Sequence, residues 1–401
     1  MNTQQFQADL KTLEDRFNAL KPEMELTIRD PEMGVEGYVV VWTTLAAKGG
    51  PLGRCGKGGT RITPNLSLDE VKMLAKIMAL KNSAAGLPLG GAKSGLKADP
   101  NAPDFEKKYR RFVSLAKPTL IENGGIFGGF GFDIGGNPIQ AVWACDEMKS
   151  NRGFTGKCVE MGGTDYDREG IAGLGVSIAA ETLLACEGKK IAGTTCAIQG
   201  LGAMGAAVLR YFTEAGGEVR YISDPRIGGT YELKDEMPQL LRDQIISLDL
   251  SGVQKTLTDM GAKKLSLDEV LYQDVDVLFP CALQGVIIDT NQARIKAKYV
   301  VEGANNPCSD SVRSALWQRG IKDIPDFIAN PGGIIAAFVE MNSNITPEEN
   351  VRTRKNVEDA KKMTRERISD NVKSIMDLVT QLKVEPQHAG KYLALKNIFK
   401  A

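Results

Sequence analysis

A glycine motif between a strand-forming run and a helical stretch is the feature that most constrains the fold of this chain. The run 194–199 leads into G-x-G-x-x-G, a helical stretch over 206–215 follows, and a second strand then ends in Asp224. The three motif glycines are Gly200, Gly202 and Gly205. Glycines in this spacing allow a tight turn between strand and helix, and an acid about 20 residues further on suits the hydroxyls of a ribose. The pattern predicts a Rossmann-like unit that binds a dinucleotide.

The remainder of the chain alternates strand and helix patterns, which predicts an α/β fold with a parallel sheet. Strands are predicted over 35–44, 275–279, 299–302 and 324–328. Helices are predicted over 5–20, 68–81, 104–118, 138–149 and 171–187. Ser67 and Glu70 have the capping-box spacing that starts the second of these helices. From about residue 346 the chain reads as charged helix to its end.

Three lysines and an aspartate lie in glycine-rich segments of the first third of the chain. These residues are Lys57, Lys81, Lys93 and Asp133. Clustered glycines suggest close approach of backbone to backbone or to a ligand. An ammonium among small residues suits carboxylate binding, or proton chemistry once burial and neighbouring cations lower its pKa. The alternative for each segment taken alone is a turn with a solvated side chain.

Composition excludes several classes of function. The 50 basic and 50 acidic residues give a net charge of zero, so nothing indicates binding of nucleic acid or of an anionic membrane. The sequence shows neither an apolar run of the roughly 20 residues that a membrane span needs nor an N-terminal targeting pattern, which predicts a cytoplasmic location. The single histidine is His388, so acid–base chemistry falls to Lys, Asp, Glu or Tyr, and no metal site is predicted.

Taken together, these segments resemble the glutamate/leucine/phenylalanine/valine dehydrogenase family of NAD(P)-dependent amino-acid dehydrogenases. The three lysines keep that family's spacing of 24 and then 12 residues, and Asp133 follows Lys93 by 40 residues. The segments 168–175, 301–305 and 325–330 also match family blocks. The lysine motifs are most similar to those of the glutamate dehydrogenases, and the resemblance extends over about residues 30–400.

The resemblance implies a two-domain α/β plan. Residues 1–150 would form a substrate-binding and oligomerisation domain, and residues 151–345 a Rossmann-like NAD(P)-binding domain. Helices in residues 346–401 would pack back on the first domain. The family also implies a homo-oligomer, a hexamer or an octamer.

The resemblance further implies a reversible reaction of an L-amino acid, NAD(P)+ and water to a 2-oxo acid, ammonia and NAD(P)H. Lys93 would be the base that activates water, and Asp133 would carry protons for the amine. Lys81 would hold the α-carboxylate of the substrate. The residues expected to bind substrate are Lys57, Gly58, Lys81, Leu89, Gly131, Asn330, Ile334 and Ala337.

Two features of the sequence bear on the substrate. Members of the family that act on glutamate generally carry a lysine at the position of Lys57, which favours an acidic substrate. They usually have a serine where this chain has Ala337, and a methyl group cannot donate a hydrogen bond to a carboxylate. Glutamate is therefore favoured, and an apolar or unusual L-amino acid, with Lys57 held by a structural partner, remains the alternative.

The expected cofactor residues follow from the glycine motif and from the family blocks. They are Gly200, Gly202, Ala203, Met204, Gly205, Asp224, Arg226, Arg168, Ala172, Cys281, Ala282 and Asn305. Asp224 would repel a 2′-phosphate, which favours NAD, whereas Arg226 could accept that phosphate, so NADP is possible. Ala172 and Ala203 stand where the family usually has Thr and Asn, which hold the nicotinamide amide. A second hypothesis is therefore a non-catalytic, dinucleotide-binding regulatory relative, which the intact Lys81, Lys93 and Asp133 disfavour.

Overall fold

The computed structural model describes residues 1–233 and 236–400. The chain divides into two compact units. The first unit comprises Met1–Tyr166, Gly333–Ala360 and the chain from Lys391 onward. The second comprises Asp167–Gly332 and Lys361–Gly390. None of the helices within the described residues is long and apolar enough to cross a membrane.

The helices are α1 Thr3–Ala19, α2 Leu68–Ala84, α3 Phe105–Ala116, α4 Ile139–Met148, α5 Ile171–Cys186, α6 Ala203–Glu214, α7 Gln239–Ile246, α8 Leu250–Asp259, α9 Asp310–Gln318, α10 Asp326–Ala329, α11 Gly332–Asn342, α12 Pro347–Thr353, α13 Lys355–Leu382 and α14 Pro386–Phe399. The strands are β1 Met24–Asp30, β2 Val35–Thr43, β3 Gly56–Lys57, β4 Thr60–Ile62, β5 Gly90–Leu96, β6 Phe130–Gly131, β7 Phe154–Thr155, β8 Thr195–Gln199, β9 Glu218–Asp224, β10 Gly229–Glu232, β11 Lys263–Leu265, β12 Val277–Pro280, β13 Tyr299–Val301 and β14 Lys322–Ile324.

The sheet of the first unit is built around β5. Its order is β1-β2-β5-β3, and β4 also pairs with β5. β2 runs antiparallel to β5, whereas β3 and β4 run parallel to it. α2 lies against this strand so closely that a Cβ on Gly91 would come within 2.2 Å of the Ala79 nitrogen. Glycine in β5 therefore serves the approach of helix backbone to strand backbone.

The helices of the first unit follow their apolar patterns. α1 buries Phe6, Leu10 and Phe17, as its periodicity predicts. At the start of α2, Ser67 Oγ accepts a hydrogen bond from the Glu70 nitrogen at 3.2 Å, so the predicted N-cap is confirmed. The Glu70 side chain contacts Arg61 at 2.9 Å, outside the reciprocal bond of a full capping box.

The sheet of the second unit has the order β11-β10-β9-β8-β12-β13-β14. β8 pairs in parallel with β9 on one side and with β12 on the other, and β13 and β14 extend the parallel array. β10 and β11 close the other edge in antiparallel pairs. The order reverses between β8 and β12, which is the point where open α/β sheets bind ligands. The predicted α/β class with a parallel sheet is confirmed.

The strand predicted over 324–328 is wrong in its position. β14 ends at Ile324, and Asp326–Ala329 form the short helix α10. Pro325 separates the two elements with φ −68° and ψ 158°. Proline has no N–H for a strand ladder and fits the residue that precedes a helix, so the apolar pattern continues while the backbone changes direction.

Candidate functional site

Lys93 and Asp133 form a close ion pair in the first unit. Lys93 lies in the middle of β5 with a side chain that is 6% exposed, and its Nζ is 3.1 Å from Asp133 Oδ1. The Asp133 side chain is 21% exposed, so the carboxylate is the part of the pair that solvent reaches. A buried amine beside a partly accessible carboxylate is an arrangement that can hold and move a proton.

Glycines bring the Asp133 loop against β4. Ile62 in β4 donates its N–H to the Ile134 carbonyl at 2.9 Å. A Cβ on Gly59 would lie 2.5 Å from the Phe132 oxygen, and a Cβ on Gly135, where φ is +79°, would lie 2.3 Å from the Ile62 oxygen. Larger residues at these two glycines would push the loop outward, so the glycines determine where Asp133 sits.

Arg61 and Glu70 continue the ion pair into a line of four alternating charges. Arg61 Nε donates to Asp133 Oδ2 at 2.7 Å, and Arg61 Nη1 donates to Glu70 Oε1 at 2.9 Å. The sequence patterns did not single out either residue as functional. The available signal was the position of Arg61, four residues after Lys57 in the same glycine-rich segment.

The pKa values of Lys93 and Asp133 are both lowered, for different reasons. Burial lowers the pKa of Lys93, and the Asp133 carboxylate opposes that shift only in part. Burial by itself raises the pKa of Asp133, but the charges and hydrogen bonds of Lys93 and Arg61 outweigh it and hold that pKa below its ordinary value of 3.8. Asp133 is therefore ionised at neutral pH.

Lys57 is fully buried and its ammonium contacts three backbone carbonyls. Nζ donates to the oxygens of Gly58 at 3.1 Å, Gly129 at 2.8 Å and Phe130 at 2.6 Å. An ammonium has three donors, so these bonds use them all. Burial is the main reason that the pKa of Lys57 is lowered to about 7. Gly131 lies beside this group, because a Cβ there would come 3.4 Å from Lys57 Nζ.

The other predicted substrate residues of this unit lie on α2 and α11, directly after β3 and directly before β5. Lys81 is half-buried in the last turn of α2, and Leu89 is fully buried just before β5. Gly58 is required by packing, because a Cβ there would lie 1.9 Å from the Ala92 oxygen. Ile334 is half-buried and Ala337 is buried, both in α11.

In the second unit, the glycine motif forms the turn from β8 into α6. Gly200 has φ +92°, and a Cβ on Gly205 would lie 1.8 Å from the Gly200 oxygen. Gly202 is the N-cap of α6 and faces open space, with only an Arg226 nitrogen near the position of an added Cβ, at 3.9 Å. Ala203 and Met204 are the first two residues of α6. This open helix N-terminus fits a bound pyrophosphate.

The acid at the end of β9 is paired with a neighbouring arginine. Asp224 Oδ1 accepts from the backbone nitrogen and Nε of Arg226 at 2.9 and 2.8 Å. Asp224 Oδ2 accepts from Arg226 Nη2 and from the Leu201 nitrogen, both at 2.9 Å. Burial raises the pKa of Asp224, but these bonds outweigh it and lower the pKa below 3.8. Asp224 thus ties the glycine turn to Arg226.

Two further predicted cofactor residues gather at the end of β12. The Cys281 nitrogen donates to the Gln199 oxygen at 2.8 Å, and the Ala282 nitrogen donates to Gln199 Oε1 at 3.1 Å. A Cβ on Gly200 would lie 2.6 Å from the Ala282 Cβ. Cys281 and Ala282 therefore meet the glycine turn at the reversal point of the sheet.

Asn330, which was predicted to bind substrate, lies in the second unit against a predicted cofactor residue. Its Nδ2 donates to Asn305 Oδ1 at 3.1 Å and to the Gly303 oxygen at 2.9 Å. Its buried Oδ1 has no hydrogen-bond partner within 1–233 and 236–400. Arg168 is exposed just before α5, and Ala172 is half-buried at the start of that helix.

Two family models match this chain. The model of the Glutamate/Leucine/Phenylalanine/Valine dehydrogenase matches residues 162–401, and the model of the Glu/Leu/Phe/Val dehydrogenase, dimerisation domain, matches residues 22–149. The chain belongs to the glutamate/leucine/phenylalanine/valine dehydrogenase family. The family and the two-domain α/β architecture expected from the sequence are both confirmed. This member of the family is an amino-acid dehydrogenase, an oxidoreductase that acts on a CH–NH2 group with a nicotinamide cofactor.

Individual relatives agree with the family models. The chain is 33% identical to the glutamate dehydrogenase of Thermotoga maritima, over 80% of this chain and 77% of that protein. It is 35% identical to the NADP-specific glutamate dehydrogenase of Saccharolobus shibatae, over 72% of this chain and 68% of that protein. A hetero-hexameric glutamate dehydrogenase from Thermus thermophilus, solved in a leucine-bound form, shares the fold with a TM-score of 0.74 and 22% identity, over 99% of this chain and 96% of that one.

Proposed function

We propose that this dehydrogenase catalyses the reversible oxidative deamination of an L-amino acid, with Lys93 and Asp133 as the groups that exchange protons with the reactants. The observation that carries the proposal is the pair itself, a nearly buried amine 3.1 Å from a partly exposed carboxylate. The relatives at 33% and 35% identity, both glutamate dehydrogenases, support this reaction class. A bound NAD(P) supplies the hydride acceptor.

In this mechanism Lys93 acts on water. Burial lowers its pKa and so favours the neutral amine, the form that can take a proton from water as that water attacks the substrate iminium carbon. The ammonium that results faces Asp133 Oδ1, which stabilises the new charge. Asp133 is ionised and can accept a proton from the substrate amine or return one to the departing ammonia.

Glutamate is the substrate that the relatives favour, and Lys81 is proposed to hold its α-carboxylate as a point charge. A specific observation favours a second candidate, an apolar L-amino acid. Lys57 Nζ already donates to three carbonyls, and Ala337 offers no hydroxyl donor. To bind a side-chain carboxylate, Lys57 would have to give up one of those three bonds.

For the cofactor, we infer that both NAD and NADP are accepted. Arg226 neutralises the Asp224 carboxylate that would otherwise repel a 2′-phosphate, and the Arg226 side chain is 57% exposed. The relative from Saccharolobus shibatae is NADP-specific. The match of residues 22–149 to the dimerisation domain supports a homo-oligomer, for which a hexamer or an octamer is expected, and light scattering on the purified protein would count the subunits.

The first experiment measures reduction of NAD+ and of NADP+ against a panel of L-amino acids. Glutamate, leucine, valine, phenylalanine, tryptophan and arginine would be compared. Turnover of glutamate alone supports the first candidate, and turnover of an apolar member supports the second. Absence of turnover across the panel with dinucleotide binding intact would favour the non-catalytic relative.

A variant then tests the proposed base. Lys93→Ala should lower turnover by roughly 100-fold or more while dinucleotide binding is retained, because proton transfer by a positioned group contributes about that much. Lys97→Ala is the matched control, since Lys97 follows the same strand, is 44% exposed and pairs with Glu36 at 3.5 Å. Ordinary turnover in Lys93→Ala would refute the proposal.

A further inference from the structure

Arg61 is the one charged group besides Lys93 that contacts Asp133 within the residues that the structure describes. It lies in β4, whose partner β5 carries Lys93, and its side chain is 17% exposed. Its Nε donates to Asp133 Oδ2 at 2.7 Å. Lys93 takes the other oxygen, Oδ1, so the two cations divide the carboxylate between them.

Glu70 holds Arg61 in that orientation. Glu70 Oε1 accepts from Arg61 Nη1 at 2.9 Å, and Ser67 Oγ fixes the Glu70 backbone at the start of α2. The planar guanidinium therefore spans two carboxylates through different nitrogens, a geometry that a lysine cannot reproduce. Its plane sets the rotation of the Asp133 carboxylate and directs Oδ1 toward Lys93.

We propose that Arg61 is a positioning residue for the reaction: it orients Asp133 toward Lys93 and keeps Asp133 ionised until Asp133 accepts a proton, with Glu70 as its anchor. The proposal rests on the proposed function, because it assigns Arg61 a role through Asp133. Arg61 itself needs no contact with substrate or cofactor in this role.

A structural salt bridge would tie β4 to the Asp133 loop and do no more. The backbone already makes that connection through the Ile62 to Ile134 hydrogen bond and through the close contacts of Gly59 and Gly135. The Arg61 bond adds charge and orientation at the carboxylate. Two cations on one partly buried carboxylate also make it a weak base, so that a proton accepted from the amine is readily passed on.

The charged groups around the pair predict the direction of a pH effect. Asp133 faces Lys93 from β5 and Arg61 from β4, while Lys93 feels Asp133 together with the more distant charges of Arg61 and Glu70. Loss of Arg61 removes a cation from Asp133, so its pKa rises and it becomes protonated at higher pH. The acid side of the pH profile of kcat should therefore move to higher pH.

The decisive experiment compares pH profiles of kcat and KM for the oligomeric protein and for Arg61→Gln. We expect kcat to fall by roughly 10- to 100-fold, as for a mispositioned proton-transfer group. The acid limb should move up by about one pH unit, the scale of an Arg–carboxylate effect. KM for the amino acid should change by less than about threefold, because the interaction lost is made with a catalytic group.

Two further variants exclude a merely structural effect. Arg61→Lys keeps the cation and should return the acid limb of the pH profile most of the way to its original position. It should not restore kcat, because a lysine cannot span the carboxylates of Asp133 and Glu70. Arg111→Gln is the matched control, since Arg111 Nε donates at 2.7 Å to Asp30, a different carboxylate of the same unit. It should leave the profile unchanged.

Glu70→Gln tests the anchor. It should lower kcat less than Arg61→Gln does, and the double variant should match Arg61→Gln alone, because Glu70 acts through Arg61. An acid limb of Arg61→Gln that coincides with that of the unmodified protein would overturn the role of Arg61. If Lys93→Ala also retained full turnover, the proposed function itself would fail, so the two failures are distinguishable.

Discussion

Arg226 binds the carboxylate of Asp224 through two parallel side-chain hydrogen bonds, from Nε to Oδ1 at 2.8 Å and from Nη2 to Oδ2 at 2.9 Å. The Leu201 nitrogen and the Arg226 nitrogen fill the remaining acceptor positions of that carboxylate. The acid that sequence patterns assign to the ribose hydroxyls is thus engaged within the protein. Its charge is matched by a partly exposed cation at the glycine turn.

Arg226→Ala should change the preference between the two dinucleotides. Without the guanidinium, Asp224 regains an unbalanced charge that repels a 2′-phosphate, so kcat/KM for NADP should fall by roughly tenfold or more, the scale of one charge-assisted bond. The kcat/KM for NAD should stay the same or rise, because the Asp224 carboxylate becomes free to accept hydrogen bonds from the ribose hydroxyls. Initial rates with both cofactors at fixed substrate measure the ratio.

The control for this substitution is Arg220→Ala, which removes a half-buried arginine on β9 that pairs with Glu218. It should leave the cofactor ratio unchanged. An equal loss with NAD and NADP in Arg226→Ala would show that Arg226 supports the glycine turn and does not select the cofactor.

Lys57→Met tests whether the buried lysine serves the fold, the substrate or both. The substitution keeps much of the volume but removes the Lys57 donor from the carbonyls of Gly58, Gly129 and Phe130, of which the Phe130 oxygen still accepts from Thr155 Oγ1 at 3.4 Å. Each unpaired buried acceptor costs about 1–3 kcal/mol, so we expect a clear fall in the urea midpoint of unfolding. Lys97→Met, at a partly exposed lysine, should leave the midpoint almost unchanged.

Activity of the folded Lys57→Met protein separates the substrate candidates. If Lys57 binds a side-chain carboxylate, kcat/KM for glutamate should fall much more than the value for an apolar amino acid. If Lys57 is held only by the three carbonyls, the profile across amino acids should keep its shape. The comparison is made without urea, at a temperature well below the thermal unfolding transition.

The local patterns of the sequence predict the elements around the glycine motif well. Strand, glycine turn, helix and terminal acid are neighbours in the chain, so their spacing determines their geometry with little help from distant residues. The turn at Gly200 and the acid Asp224 accordingly occur where the pattern puts them. The pairing of Arg226 with Asp224 was not predicted, because the spacing of these residues is equally compatible with Arg226 binding a 2′-phosphate.

The substrate side depends on tertiary contacts that no local pattern encodes. β5 contains three glycines, which have low strand propensity, and it is a strand because β2, β3 and β4 pair with it. Arg61 and Asp133 are 72 residues apart in the chain. Glu70 matches a capping motif, and that interpretation gave no reason to expect its contact with Arg61. The strand predicted over 324–328 failed because periodicity does not register the break at Pro325.

The buried charge cluster of the second unit supplies a prediction about stability. Glu302 accepts from Arg313 Nε and Nη2 at 2.8 and 2.7 Å, and it also accepts from the Cys308 thiol at 2.8 Å. Asp323 lies beside them, 4% exposed, and its Oδ1 has no hydrogen-bond partner among the described residues. Burial, and then the charge of Glu302, raises the pKa of Asp323 well above 3.8.

A carboxyl whose pKa is higher in the folded than in the unfolded chain favours folding while it is protonated. Its contribution is fully present below the unfolded pKa of 3.8 and is lost as pH rises through the folded value. Asp323→Asn keeps the shape without the ionisation. It should therefore be as stable as the unmodified protein at acid pH and more stable at neutral and alkaline pH, with a flatter dependence of the unfolding midpoint on pH.

Glu302→Gln is the variant to compare with Asp323→Asn, because it removes a negative charge that pairs with Arg313 while the Arg313 cation stays buried. Breaking one side of a buried ion pair costs about 3–5 kcal/mol when the remaining charge has no partner. Asp310 still accepts from Arg313 Nη1 at 2.9 Å, so this variant should be destabilised by up to that amount. Urea unfolding of both variants between acid and alkaline pH measures the two effects. If Asp323→Asn lost stability as Glu302→Gln does, Asp323 would be an ionised partner of Arg313, whose Nε is 3.7 Å from Asp323 Oδ1, and would not be the proton-bearing member of the cluster.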